Sequence, residues 1–152
     1  METKNVLFEN KSFSSFDFID EFNEILNLSI KEFDLKTKIP LHVDLLFVTR
    51  FKMKKLNNLH RQKNYATDVL SFPFLSDDLD FLEYLPIGQI IICPYIIKKH
   101  AKEFNHSVKR EYCYMFTHGV AHLLGYDHQT EEEAKVMNEH VENIMTKMNI
   151  KR

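Results

Sequence analysis

A chain of 152 residues, 44% hydrophobic and 28% charged, has the composition of a globular protein and can bury one core, so we expect a single domain over residues 1–152. Its 20 basic and 22 acidic residues give a formal charge of −2, which is not the overall signature of a nucleic-acid-binding protein. Any such role must rest on a local patch, such as residues 51–63, where the cations have no acid among them.

The first half of the chain predicts two strands and two helices. Strand formers at residues 6–8 predict a short first strand, and apolar residues at helical spacing over residues 16–33 predict an amphipathic helix. Pro40 stops further helix, and residues 41–48 have the pattern of a strand. A second helix is expected from Thr49 or Arg50 through the basic stretch to about residue 63.

The second half predicts two more strands and then three helices. Residues 67–74 alternate like a strand that Pro73 ends, residues 77–86 have the composition of a surface loop, and residues 88–93 form an apolar run typical of a strand buried on both faces. Helices are expected at about residues 95–104, 108–124 and 131–148. We therefore predict an α/β or α+β domain, with about four strands in one small mixed sheet packed against helices.

Cysteine usage and the apolar stretches indicate the compartment. Cys93 and Cys113 lie far apart among apolar or aromatic neighbours, which favours two buried thiols in a reducing compartment over a disulfide. No long apolar run follows the first residues, so we expect no signal peptide. The longest apolar stretch, residues 87–97, is interrupted by Gly88 and Pro94 and is too short to span a bilayer. A soluble, cytoplasmic protein without a membrane partner is expected.

The segment HGVAHLLGYDH, residues 118–128, has the spacing of a metal site. His118 and His122 are four residues apart, so on a helix both lie on one face and can bind one ion. Gly125 follows where a left-handed residue would end the helix and turn the chain, which could bring His128 back as a third ligand. Three imidazoles leave the fourth position of a tetrahedral zinc open, which is the catalytic arrangement. We predict one Zn²⁺ at this zincin-like histidine helix.

Four other histidines have no comparable arrangement and are predicted to face solvent, namely His60, His100, His106 and His140.

The same spacing matches the metzincin protease pattern H-E-x-x-H-x-x-G-x-x-H, with one difference. Zincins carry a glutamate after the first histidine as the general base, whereas this chain has Gly119. Asp127 lies nearby, but its spacing does not replace that glutamate. The missing carboxylate counts strongly against a peptidase. Three neutral imidazoles leave the charge of the metal uncompensated, which suits an anionic phosphodiester, although carbonic anhydrase uses the same ligand set for carbon dioxide.

Three segments together resemble the bacterial YbeY family of metal-dependent endoribonucleases. HGVAHLLGYDH is similar to the family's H-G-x-L-H-L-x-G-Y-D-H, with Ala121 where leucine is usual. LNNLHRQKNYATDVLSFPF, residues 56–74, resembles the block LN-x-x-Y-R-x-K-D-x-x-T-D-V-L-S-F-P, and IGQIIICPYIIKKHAKEFNHS, residues 87–107, resembles the G-D-I-x-I-x segment with the helix that follows it. The segments occur in family order, so the resemblance covers nearly the whole chain.

The resemblance implies an α/β fold with a small mixed sheet and a zinc ion bound by His118, His122 and His128. It further implies a single-strand-specific endoribonuclease that acts in rRNA processing, notably maturation of the 16S rRNA 3′ end, and in late ribosome quality control. Single-stranded rRNA and the small ribosomal subunit or ribosome are then the partners, and a monomer is expected. The family's functionally important arginine corresponds to Arg61, which could grip the scissile phosphate in a bidentate manner. Arg61 and His118 are the predicted catalytic residues.

The chain departs from the family pattern at three positions. Gln89 stands where an acid is common, Asn64 replaces the aspartate of the K-D pair, and His60 replaces the usual aromatic residue. Gln89 could still accept a hydrogen bond from a ligand, with less electrostatic support than an acid. Asp68 and Asp127 are candidates to support the ligands, and each is equally well explained as a turn or cap residue.

Two other functional classes stay open. A metallopeptidase has the zincin spacing in its favour and Gly119 against it. A non-catalytic ribosome-assembly factor would associate with ribosomes even without metal. The attacking group in an endoribonuclease could be water or the ribose 2′-OH.

Overall fold

The computed structural model describes residues 5–74 and 84–150. Within these ranges the chain forms four strands and five helices, which confirms the predicted α+β class with one four-stranded mixed sheet. In chain order the elements are β1 Val6–Asn10, α1 Ile19–Glu32, β2 Leu41–Phe47, α2 Arg50–Arg61, β3 Val69–Pro73, β4 Leu85–Ile92, α3 Pro94–Glu103, α4 Val108–Leu123 and α5 Glu131–Lys147.

The sheet has the strand order β1-β2-β4-β3. β1 runs parallel to β2 and β2 parallel to β4, whereas β3 pairs antiparallel with β4. β4 therefore has a neighbour on each side, and Ile90, Ile91 and Ile92 are at most 4% exposed. The prediction of a strand buried on both faces is confirmed for these three residues, because an apolar run can occupy a central position without burying polar side chains.

β4 begins earlier than the sequence pattern predicts. It starts at Leu85, and Pro86 already pairs with His42. Val43 then pairs with Gly88, so Ile87 is an extra residue in a bulge. Proline is tolerated at the start of a strand, and the bulge lets the strand continue past the irregularity. The predicted loop at 77–86 was wrong for its last two residues, and residues 77–83 lie outside the described part of the chain.

Two apolar clusters cover the opposite faces of the sheet, because neighbouring strand residues point to opposite sides. Ile90 belongs to the larger cluster, to which α1, α4 and α5 contribute side chains such as Phe116. Ile91 belongs to the smaller cluster, with Met53 from α2 and Ile96 from α3. The sheet is thus a central layer that holds α4 on one face and α2 on the other.

Side-chain caps begin three of the helices where the sequence places a hydroxyl. Each hydroxyl oxygen accepts a hydrogen bond from the backbone N–H three residues ahead, at Thr49 for α2, Ser107 for α4 and Thr130 for α5. α1 has no such cap and begins at Ile19, three residues later than predicted, while the preceding Phe16 packs against the core. No helix in the described ranges is long and apolar enough to cross a membrane.

Candidate metal centre

The three histidines of residues 118–128 converge at the C-terminal end of α4. His118 and His122 lie on one face of the helix, and their Nε2 atoms are 3.1 Å apart. His128 follows the helix, and its ring centroid lies 5.5 Å from that of His118 and 5.0 Å from that of His122. One nitrogen from each ring lies within 4.8 Å of the others, so the three residues could hold one metal ion.

The turn that returns His128 to the helix has the geometry expected at Gly125. Gly125 has a φ of 100°, in the region that favours glycine. Its N–H donates to the carbonyl of His122, and the N–H of Tyr126 donates to the carbonyl of Ala121. These two bonds form a Schellman motif, which satisfies helix carbonyls while reversing the chain. The predicted helix end is confirmed, and it is the local reason why His128 lies beside the pair.

Burial keeps the two helical imidazoles neutral, which is the form that binds metals. Burial lowers the pKa of His118 from 6.5 to about 4, and the charges of the other two histidines and of Arg61 add to this effect. Burial also lowers the pKa of His122, and His128 adds to the shift. The site therefore presents imidazole lone pairs at neutral pH without prior loss of protons.

The backbone orients one of the two helical rings. The Nδ1–H of His122 donates to the carbonyl of Tyr126 at 3.0 Å, which leaves Nε2 with a lone pair for a metal. Nδ1 of His118 is buried and has no hydrogen-bond partner among the described residues. The side chain of Gln89 makes no hydrogen bond to any described residue, so the expected support from this position is not seen.

The donor set fits a tetrahedral metal ion such as zinc. Two nitrogens that each lie 2.0–2.1 Å from such an ion are about 3.3 Å apart, close to the 3.1 Å between the Nε2 atoms of His118 and His122. Two facing lone pairs repel each other unless a proton or a cation lies between them. A cation between the two Nε2 atoms would therefore account for their short separation.

Arg61 reaches the same site from α2, the helix on the opposite face of the sheet. It is exposed in the last turn of α2, and with His122, His128 and Ser71 it lines a cavity of about 340 Å³. Its guanidinium forms no hydrogen bond or ion pair with the described residues. The cavity thus combines a possible metal site with an uncommitted cation, which suits a phosphate. Ser71 was not singled out in the sequence, because a hydroxyl in a strand carries no signal of its own.

The residue after the first histidine could not easily be the glutamate of a zincin. α4 crosses the sheet so closely at Gly119 that an added Cβ would lie 3.1 Å from the Ser71 hydroxyl oxygen and 3.2 Å from Ile90. Both distances are tighter than ordinary carbon contacts. Glycine at this position therefore follows from helix–sheet packing, and the peptidase interpretation is weakened further.

The two aspartates proposed to support the ligands have different surroundings. Asp127 lines the cavity, and its Oδ1 accepts the N–H of His128 at 2.8 Å, so it shapes the loop that carries this ligand. Asp68 does not line this cavity, and instead its Oδ2 lies 3.3 Å from Nδ1 of His100.

Two of the histidines predicted to face solvent are in fact partly buried and paired. His100 contacts Asp68, and His140 lies 2.9 Å from Glu32. Both partners are distant in sequence, so nothing local indicated them. The two cysteines, Cys93 and Cys113, are free and buried, as predicted.

The comparisons with known proteins agree on one family. A family model described as endoribonuclease YbeY matches residues 5–149. Endoribonuclease YbeY of Mycoplasmopsis pulmonis is 45% identical over 144 residues, which cover 94% of this chain and 95% of that protein. Endoribonuclease YbeY of Clostridioides difficile is 43% identical over 112 residues, covering 72% of this chain and 73% of the relative.

A solved structure supports the same fold. The solution structure of TM1509 from Thermotoga maritima is similar to this chain with a TM-score of 0.59 and 25% sequence identity. The similarity covers 95% of this chain and 91% of the Thermotoga protein.

Proposed function

Because the chain belongs to the endoribonuclease YbeY family, we propose that it is a zinc-dependent endoribonuclease specific for single-stranded RNA. Its substrate would be rRNA, with 16S rRNA 3′-end maturation and late ribosome quality control as its tasks. It would act as a monomer, with one domain over residues 1–152, in the cytoplasm and on the small ribosomal subunit. The observation that carries the proposal is the convergence of three histidines beside Arg61.

One zinc ion would be held by His118, His122 and His128. Bound there, it would supply Lewis-acid charge for a phosphodiester and a nucleophile at neutral pH. The neutral state of the two half-buried imidazoles on α4 supports this ligand set, since protonated histidines cannot coordinate. The carbonyl of Tyr126 fixes the tautomer of His122 and thereby the direction of its lone pair.

Arg61 would hold the scissile phosphate. Its planar guanidinium can donate two parallel hydrogen bonds to phosphate oxygens, and negative charge that develops during cleavage would strengthen them. The support for this role is that the side chain is exposed in the cavity of the histidines and has no carboxylate partner among the described residues. Unpaired cations of this kind are available to a ligand without first breaking an internal ion pair.

The same α2 helix would guide RNA to the site. Residues 51–63 carry five cations and no acid, and Arg61 near the end of this patch lines the cavity. A single RNA strand whose phosphate groups bind along this helix would therefore be led to the histidines at the end of the helix. A folded protein with a formal charge of −2 needs such a local patch to attract RNA.

Two alternative functions have specific tests. A metallopeptidase would cleave an unstructured protein such as casein, but Gly119 leaves no carboxylate for the base. An assembly factor without catalytic activity would associate with ribosomes equally well after removal of the metal.

The proposal is tested by cleavage of single-stranded and double-stranded rRNA fragments with wild type, Arg61→Ala and His118→Ala. We expect cleavage of the single strand alone, a loss of roughly 10²-fold or more in rate for Arg61→Ala, and no detectable cleavage for His118→Ala. Lys31→Ala on α1 removes an equal charge from an exposed position outside both the basic stretch and the cavity, and should change the rate far less.

The ends of the products identify the attacking group. A 2′,3′-cyclic phosphate indicates attack by the ribose 2′-OH, whereas a linear phosphate formed without that intermediate indicates water. A zinc-loaded wild type that leaves single-stranded rRNA intact would contradict the proposal. If Arg61→Ala cleaved as fast as wild type, the phosphate-binding role would be wrong.

A further inference from the structure

A second group of metal-binding side chains lies at the opposite end of α4. Glu111 is in the first turn of α4, His100 is on α3, and Asp68 immediately precedes β3. One ligand atom from each residue lies within 4.8 Å of the others, and Nδ1 of His100 is 3.3 Å from Oδ2 of Asp68. The three residues come from three separate elements, so only the tertiary fold brings them together.

Glu111 is the most informative member of this group. It is only 6% exposed, and its carboxylate forms no hydrogen bond or ion pair with any residue in 5–74 or 84–150. Burial raises the pKa of this carboxyl and the charge of Asp68 raises it further, whereas the charges of His100 and Arg110 oppose the shift only in part. A carboxylate that is largely buried beside another carboxylate and forms no hydrogen bond is costly, and a bound cation would offset that cost.

Asp68 is already oriented to leave one oxygen available. Its Oδ1 accepts the N–H of Val69 at 2.8 Å and lies 3.3 Å from the hydroxyl of Thr67. Its Oδ2 is thereby directed toward His100. The group lines a cavity of about 780 Å³, which gives an ion from solvent a path to the three side chains.

We propose that Asp68, His100 and Glu111 form a second metal site, which takes a divalent transition-metal ion such as Mn²⁺ or Zn²⁺. One imidazole and two carboxylates are ligands that suit these ions, and the two carboxylates neutralise a divalent charge. The remaining positions would be filled by solvent from the cavity.

This site is separate from the three-histidine centre. Glu111 and His118 are seven residues apart on one helix, which corresponds to an axial rise of about 10 Å. Paired catalytic metals lie only about 3.5–4 Å apart. The second ion would therefore not take part in bond cleavage. It would join α3, α4 and the start of β3, and so stabilise the framework that presents His118 and His122.

The test uses the full chain with His118, His122 and His128 all changed to alanine, so that the second site alone remains. Binding of Mn²⁺ is counted from the loss of the free-ion signal in electron paramagnetic resonance. We expect about one equivalent per chain, lost when Glu111→Gln or His100→Gln is added. His106→Gln is the matched control, because this histidine lines the same cavity but is outside the group, and it should keep the bound ion.

Thermal unfolding of the otherwise wild-type chain provides a second measurement. Mn²⁺ should raise the melting temperature of wild type more than that of Glu111→Gln, since the substitution removes one of the three ligands. No Mn²⁺ bound by the folded triple-alanine variant would overturn the proposal. Unchanged binding in both Glu111→Gln and His100→Gln would also overturn it. If Glu111→Gln fails to fold, His100→Gln decides, because its side chain is 31% exposed.

Discussion

At the scale of single residues, Gly125 links the local sequence to the geometry of the candidate metal centre. Its backbone has a φ of 100°, and an added Cβ would meet no atom within 4 Å. A side chain would therefore be opposed only by backbone strain. The same turn places the carbonyl of Tyr126 on His122 and brings His128 back to the helix.

We predict that Gly125→Ala lowers the free energy of unfolding by about 1–2 kcal/mol and weakens zinc binding, because alanine disfavours this φ. Gly125→Asn is the matched variant and should lose less unfolding free energy and less zinc affinity than Gly125→Ala, since asparagine is better tolerated in left-handed turns. Urea unfolding and zinc titration of both variants measure the two effects. Equal losses in the two variants would contradict backbone strain as the cause.

At the scale of elements, the contact of α4 with the sheet decides which side chain can follow His118. An added Cβ at Gly119 would be 3.1 Å from the Ser71 hydroxyl oxygen, although the backbone there is not strained. The crowding arises from β3 and β4, not from the helix itself. Gly119 and Gly125 are thus required for different reasons: Gly119 because the sheet packs closely against it, and Gly125 because its backbone has a positive φ.

We predict that Gly119→Glu lowers the free energy of unfolding by about 1–3 kcal/mol or more without creating peptidase activity, because the glutamate has no space at the helix–sheet contact. Gly119→Ala should lower the free energy of unfolding less than Gly119→Glu does, because it adds only one methyl group and alanine has a higher helix propensity than glycine. Urea unfolding and a casein-cleavage assay provide the measurements. Efficient casein cleavage by a stably folded Gly119→Glu protein would show that packing does not exclude the zincin arrangement.

Glu32 joins α1 to α5 through three side chains. It lies 2.9 Å from His140 Nδ1, 2.9 Å from Asn143 Nδ2 and 3.6 Å from Lys147 Nζ. Burial by itself raises the pKa of Glu32, but the hydrogen bonds and the positive charges together lower it below 4.5. The ionised carboxylate is therefore the form that stabilises the packing of these two helices.

We predict that Glu32→Gln lowers the free energy of unfolding by about 1–3 kcal/mol near neutral pH. The folded-state pKa lies below the unfolded-state value, so this contribution is complete above pH 4.5 and disappears as the pH falls through the folded-state pKa. Urea unfolding across this range should show the two proteins converging at low pH. Asp34→Asn is the control, since its pair with Lys36 is exposed and should contribute little. A difference that does not change with pH would rule out the ionised carboxylate as its source.

At the scale of the whole molecule, the sheet separates the helix that carries the histidines from the helix that carries Arg61. α4 packs in the larger apolar cluster, and α2 packs in the smaller one on the opposite face. Their ends meet around the cavity lined by Arg61, His122 and His128. A site assembled in this way depends on the complete fold, because neither helix carries all of its residues.

We predict that a chelator abolishes RNA cleavage and lowers the melting temperature, and that added zinc restores both. An ion present at 100 times its dissociation constant stabilises the folded state by about 2.7 kcal/mol. Differential scanning calorimetry and the RNA-cleavage assay measure the two effects, with chelator added together with excess zinc as the control. Unchanged cleavage by protein shown to be metal-free would contradict a metal-dependent mechanism.

Local sequence signals predicted most of the elements and the convergence of the three histidines. Apolar spacing identified the helices, and their observed ends differ by a few residues at most, as with α1 at Ile19. The histidine spacing and Gly125 together predicted the convergence of three rings, because all the determinants lie within eleven consecutive residues. The start of β4 was missed, because the bulge at Ile87 depends on pairing with β2.

The sequence by itself therefore determined the strands, the helices and the three-histidine spacing, since each depends on residues close together in the chain. Only the tertiary structure decided which distant side chains meet. It brought Arg61 to the histidines, excluded a larger residue at Gly119 through β3 and β4, and buried Glu111 beside Asp68 and His100. No local pattern predicts such contacts, because they depend on how helices pack on the two faces of one sheet.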